Sequence, residues 1–197
     1  MPELTERAQK YLGSLERRVP VPVADVRQAL IDHGYPVLEV WLDFHDRYAG
    51  YCETLGEGGT TWGLKHADTR YSLMNGRPFE VEAYRDEADG LWTIEAADSH
   101  PSFDQTMDEN GEFQHIPASS FEIHLERAAL FQQYMDLGAK PYSQMGYQRI
   151  SQLKPESSEA ERVEAASDKY IEWWQGKKYI AARWTETGEW LSAFVKS

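Results

Sequence analysis

Residues 91–126 read LWTIEAADSHPSFDQTMDENGEFQHIPASSFEIHLE. The order is strand, polar loop, tight turn, strand, helix start. Leu91 to Ala97 carries the β-branched and aromatic residues that suit a half-buried pleated surface. Asp98-Ser99-His100-Pro101 breaks that run. Asp108-Glu109-Asn110-Gly111 is a turn, because Asn-Gly supplies the positive φ that a tight hairpin needs. Phe113 to Ile116 resumes an extended segment, and Pro117 ends it. Ser119 opens a helix, with Glu122 three residues on as its capping-box partner. Phe121, Leu125, Ala128, Phe131 and Met135 then recur at helical spacing and predict a buried stripe. Gly138 ends the helix.

Upstream of this stretch, residues 3–17 have a helical period in Leu4, Ala8, Leu12 and Leu15, with Arg17-Arg18 at its C-terminal end. The prolines of Val19-Pro20-Val21-Pro22-Val23 exclude helix there. A second helix is expected over Ala24–His33, stopped by Gly34 and Pro36. A third is expected from Leu38 to Ala49, its apolar face Val40, Trp41, Phe44 and Tyr48, with Gly50 as its cap. Thr54 to Gly63 reads as a glycine-rich flexible loop. It lacks the Lys-Ser/Thr and the GxGxxG spacing of a phosphate cradle. Tyr71–Met74 and Phe79–Tyr84 around Asn75-Gly76 read as a hairpin. Downstream, Gly138 to Glu156 reads as loop, and Ser158 to Trp173 as a helix. Tyr179–Trp184 and Trp190–Val195 read as a second, Trp-rich hairpin, expected to add to the central sheet, with its aromatic face meeting a partner as the alternative. The domain expectation is a core over 1–138 and a helix-hairpin extension over 139–197 packed on it.

Composition narrows the function classes. The 197 residues hold 33 acids against 20 bases, a formal net charge of −13. Direct binding to nucleic acid or to an anionic membrane runs on Lys and Arg, so neither is expected. No apolar run approaches the roughly 18–20 residues of a membrane span. The N-terminus lacks a basic-then-apolar leader pattern, and the location expected is the cytosol. The single cysteine, Cys52, reads as a structural thiol.

The opening stretch resembles the core of the SUKH superfamily, the Smi/Knr-type fold widespread among bacterial toxin-immunity proteins. Members run strand, polar loop, an Asp-x-x-Gly turn, a further strand, then Ser-Phe opening a helix. Here these are Trp92 to Asp98, Asp108 to Gly111, Phe113 to Ile116, and Ser120-Phe121. The aromatic-ended upstream helix followed by Gly corresponds to Trp41–Gly50. Ala49-Gly50 stands where members have Gly-Gly, and Arg18 to Val21 lacks their Leu-Pro. The resemblance covers roughly residues 20 to 136. It implies an α+β fold, an antiparallel twisted sheet flanked by helices. It also implies an immunity protein that occludes a toxin domain without catalysis or a cofactor.

Candidate chemistries each lack a member. Asp98, His100, His115 and His124 offer zinc-ligand types, but no second close ligand pair accompanies Asp98-x-His100, so turn and cap roles are expected and no metal. An EF-hand placed on Gly111 would need ligands at Thr106 and Pro117, which cannot serve. Ser119, Ser120 and His124 have no nucleophile elbow. Glu80, Glu82, Glu95 and Asp98 suit a solvated face better than a glycosidase pair. A non-enzyme is expected, with a small hydrolase using Asp98 and His100, or a regulatory scaffold module, as alternatives. What remains is charge. Residues 80–126 hold thirteen acids and a single base, Arg85, while the rest of the chain is near balance. Glu80, Glu82, Asp86, Glu87, Asp89, Asp98, Asp104, Asp108, Glu109 and Glu112 are therefore the expected partner-binding set. Their one-signed field would suit a basic toxin such as a nuclease.

Overall fold

The structure, a computed structural model, describes residues 3–55, 58–66, 80–99, 105–114, 117–141 and 160–196. The chain divides into two compact units. One is Ser14–Pro117; the other joins Met1–Gly13 to Ala118–Ser197. Among the described residues there are four α-helices and twelve strands, and all strand pairing is antiparallel. The class is α+β, as the sequence implied. The expected boundary after Gly138 does not coincide with this division. Helix α4 (Phe121–Asp136) goes with the C-terminal strands rather than with the central ones.

After α1 (Glu6–Ser14), the 14–117 unit begins with a short strand β1 (Glu16–Arg17). Glu16 and Arg17 were expected to close a helix; instead they pair with Cys52 and Tyr51. Helix α2 (Val23–Asp32) buries Val26, Ala29 and Leu30. Helix α3 (Glu39–Tyr48) buries Trp41, Leu42, Phe44, His45 and Tyr48, close to the predicted face. Phe113 meets Phe44 edge-on, with ring centroids 5.8 Å apart. It meets Trp62 in the same way at 5.9 Å. Edge-to-face aromatic pairs add to the burial of each ring. Gly50, at φ +86°, turns the chain out of α3. A Cβ there would overlap the Arg18 carbonyl oxygen, so the position needs glycine on both counts.

The expected loop over Thr54–Gly63 is largely a hairpin of β2 (Tyr51–Leu55) and β3 (Gly58–Trp62). Glycine weakens a strand, but here specific burial outweighs that cost. Thr60, Thr61 and Trp62 are buried, and the Trp62 indole donates to buried Glu53 at 2.9 Å. The run 91–97 is divided between two sheets. β5 (Trp92–Glu95) lies between β4 (Ala83–Arg85) and β7 (Thr106–Asp108). β6 (Ala97–Asp98) pairs instead with β3, at the edge of the sheet β1-β2-β3-β6. Ala96 makes the crossing: its amide donates to Gln105 and its carbonyl accepts from Gly63. Of the hairpin expected over 71–84, residues 71–79 lie outside the described residues. In the second strand Val81 and Ala83 are buried and Glu80, Glu82 and Tyr84 exposed, the expected alternation, and Ala83–Arg85 pairs with β5.

In the second unit, Ser120 rather than Ser119 caps α4, its hydroxyl accepting from the Ile123 amide. Phe121 and Leu125 are buried as predicted. Ala128 and Phe131 are only half-buried, and Met135 is exposed. The buried stripe continues through Ala129, Leu130 and Tyr134, alongside Glu122, Glu126 and Arg127. An apolar period could not show this, because three of the eight buried residues are charged. Glu126 accepts from both the amide and the hydroxyl of Thr5 at 2.7 Å, and from Arg7 at 3.2 Å. These contacts tie α1 to α4.

The expected helix over 158–173 is absent among the described residues. β9 (Glu161–Arg162), a 3-10 turn (Glu164–Ala166) and β10 (Ile171–Gln175) occupy the span. Ile171 and Trp173 alternate inward as a strand requires. The predicted hairpin does form, as β11 (Tyr179–Trp184) and β12 (Trp190–Lys196). It does not join the central sheet. With β8 (Ala139–Pro141) it builds a separate sheet, β8-β12-β11-β10-β9, whose core side packs Ile171, Trp173, Ile180 and Ala182 with Leu130 and Tyr134.

His45 gives the 14–117 unit a pH dependence. The ring is fully buried, with Nε2 2.8 Å from the Val21 carbonyl and Nδ1 3.0 Å from the Leu64 amide. An amide can only donate, so Nδ1 accepts and Nε2–H donates, which fixes the neutral tautomer. Burial lowers the His45 pKa, against the Val21 bond and Asp46. Burial, then His45 and Arg18, push His66 down to about 4, against backbone bonds at Gly63 and Thr61. With folded values below the ordinary 6.5, the unfolded chain takes up protons first as pH falls. Stability from these groups is full above that value and drains as pH drops through the window toward about 4. Urea unfolding at pH 7 and pH 4.5 should show the loss, and His66→Gln should shrink it. An identical pH slope in His66→Gln would remove His66 from this account.

Candidate protein-binding surface

Two acidic turns meet at one end of the sheet β4-β5-β7. In the β4–β5 turn, Asp86 accepts from the Ala88 amide at 2.7 Å, and Asp89 from the Leu91 amide at 2.9 Å. Gly90 closes the turn at φ +74°. Short aspartates hold such turns by capping amides two residues on. In the turn after β7, Asp108 accepts from Asn110 at 2.8 Å and from Glu112 at 2.9 Å, and Gly111 takes φ +85°. Glu109 joins the two turns by accepting from the Trp92 amide at 2.9 Å. The registers Arg85↔Trp92 and Thr93↔Asp108 put both turns at the same end.

The ten expected residues separate accordingly. Glu80, Glu82, Glu87 and Asp89 are exposed; Asp86, Glu109 and Glu112 are half-buried. Asp98 and Asp108, at 3% and 5% exposure, are withdrawn from any solvated face. Asp108 is consumed by its turn. Asp98 stands opposite Thr61 in the β3–β6 pairing. Asp104 lies outside the described residues, as do His100 and His115. Lys65 pairs with Glu80 at 2.7 Å, and Arg85 turns back to donate to the Gly90 carbonyl at 2.7 Å. Asp86, Glu87, Asp89 and Glu109 thus form an acidic rim around the shared end of the sheet.

The sequence reading missed the aromatic side of this rim. His33 and Tyr35 stack with centroids 5.6 Å apart, and Tyr35 meets the Trp92 ring edge-on at 6.4 Å. Gly34, at φ +73°, lets the chain leave α2 between the two rings. No local pattern links residues 33–35 to residue 92. The charge also follows the units. Residues 14–117 carry twenty acids and eight bases, the other unit thirteen and twelve.

Other candidate chemistry is dispersed. Cys52 is half-buried, its sulfur 3.7 Å from the Thr61 hydroxyl, which accepts from Arg18 at 2.8 Å. His124 stacks on Phe121 at 5.3 Å. Among the described residues no three His, Cys, Asp or Glu side chains are grouped to hold a metal ion. No helix among them is long and apolar enough to cross a membrane. No protein-family model, curated protein or solved structure matches the chain.

Proposed function

We propose that this is a SUKH-like immunity protein, which binds a cognate toxin domain in the cytosol and blocks its active site without catalysis. The observation that carries the reading is the acidic rim at the shared end of the β4–β5 and β7 turns. The resemblance supports it: the aromatic-ended α3 with Gly50, the Asp108–Gly111 turn and the Ser120-Phe121 helix start occur in the order that SUKH proteins use. Charge supports it too. A nuclease toxin must present a basic groove to phosphates, and a field of twelve uncompensated acids in one unit would steer such a groove toward it.

Three measurements test this. A toxin domain sought in the neighbouring open reading frame, once purified, should be completely inhibited by this protein near one equivalent. Full inhibition at a small fraction of an equivalent would mean turnover. Protection should also survive Asp98→Asn with His100→Gln, since occupying a site requires only binding. Association should slow as ionic strength rises, because exposed charges are screened beyond roughly 8 Å at physiological salt. The combined Glu82→Gln, Glu87→Gln, Asp89→Asn variant should lower the association rate about tenfold at low salt. A rate indifferent to salt would overturn the steering role.

A further inference from the structure

We infer that the His33–Tyr35–Trp92 ring cluster and the carboxylates beside it form a docking site for an arginine-presenting segment of the protein partner. The inference rests on the acidic-surface reading above and specifies which cation that surface selects. Each ring is carried on backbone that is already pinned. The His33 ring Nδ1 lies 2.8 Å from the Ala29 carbonyl, and the Tyr35 amide donates to the Leu30 carbonyl at 2.9 Å. Glu109 holds the Trp92 amide. The rings therefore lose little freedom on binding, which favours affinity. His33 is exposed and Tyr35 and Trp92 are half-buried, so the cluster reaches solvent.

Charge complementarity fixes the occupant. Asp32 precedes the ring pair, Asp89 lies three residues before Trp92, and Glu109 accepts from the Trp92 amide. The Asp89 and Glu109 contacts each use one oxygen, leaving the second to a partner. An ammonium would satisfy such carboxylates as a point charge. A guanidinium does more: it lies flat on an aromatic face while its edge donates two parallel bonds to a carboxylate. A surface of rings edged by carboxylates thus favours arginine over lysine on two counts, stacking on the ring and bidentate pairing with the carboxylate. Arg85, the cross-strand neighbour of Trp92, does not cancel the site's charge, because three or more acids outnumber it there.

The test uses hexa-arginine and hexalysine peptides of equal charge, titrated into the intact protein. Indole N–H resonances report position, and Trp92→Phe assigns the Trp92 signal among the seven tryptophans. Hexa-arginine should shift the Trp92 resonance and bind about three- to fivefold more tightly than hexalysine. Tyr35→Ser and Trp92→Ala should each bring arginine affinity down toward the lysine value. Glu87→Gln with Asp89→Asn should weaken both peptides. Equal affinities in the unmodified protein, or a Trp92 resonance that stays put, would overturn the ring-docking inference while leaving an acidic binding surface standing. Failure of both peptides to bind at low salt would sink the two together. The comparison within the unmodified protein holds even if a ring variant fails to fold.

Discussion

Asp168→Ala is expected to cost about 3–5 kcal/mol of folding stability, the range for breaking a buried ion pair from one side. Its carboxylate lies 2.7 Å from the Arg127 guanidinium, with side chains 4% and 7% exposed. It also accepts from the amides of Ser119, Tyr170 and Ile171 at 2.8–2.9 Å. Arg127 in turn donates to the carbonyls of Ala166 and Ile171. One pair therefore joins the start of α4, the 3-10 turn and the start of β10. Burial pulls the Arg127 pKa below its ordinary value, and Asp168 opposes that pull. Removing Asp168 leaves a desolvated cation and three unpaired amides. Asp168→Asn should cost less, because it keeps an acceptor oxygen. Urea unfolding measures both, and a loss below 1 kcal/mol for Asp168→Ala would refute the keystone role.

Phe44→Ala should cost a similar amount, about 3–5 kcal/mol, as truncation of a buried aromatic leaves a cavity. Phe44 is 5% exposed and touches the Phe113 and Tyr48 rings at centroid distances of 5.8 and 6.1 Å. Phe131→Ala should cost only about 1 kcal/mol, because that side chain is half-buried. Helical spacing alone gives the two phenylalanines the same rank. Equal losses in denaturant unfolding would restore that ranking and count against the burial described for α4.

Reading by period succeeded where one class of residue lined one face. Helix α3 and the 179–196 hairpin are such cases, and the Asp108–Gly111 turn is legible from its Asn-Gly pair instead. It failed where polar side chains were buried with dedicated partners. On α4, Glu122, Glu126 and Arg127 interrupt the apolar pattern, and apolar spacing alone runs through Phe131 and Met135 instead. The 158–173 span has apolar residues at both helical and alternating spacing. Capping of the Tyr170 and Ile171 amides by Asp168 decides for strand, and that bond is formed by the fold. Acid count located the rim, but counting cannot separate a carboxylate facing water from one spent on its own turn, as Asp108 is. The ring cluster was illegible for a plainer reason: Tyr35 and Trp92 are brought together by tertiary structure alone.

The second unit joins residues 1–13 to residues 118–197, with the first unit between them in the chain, and this orders events on the ribosome. Helix α1 is translated before residues 14–117, yet the carboxylate that holds it belongs to Glu126, 121 positions beyond Thr5. At roughly 5–20 residues per second, α1 waits on the order of ten seconds for that anchor. Nine residues are too few to stay helical alone in water. During the same interval residues 14–117 emerge complete, with the strand pairings of both their sheets contained within them. The nascent chain thus holds a complete acidic unit before Glu126, which binds Thr5 and Arg7, has been translated.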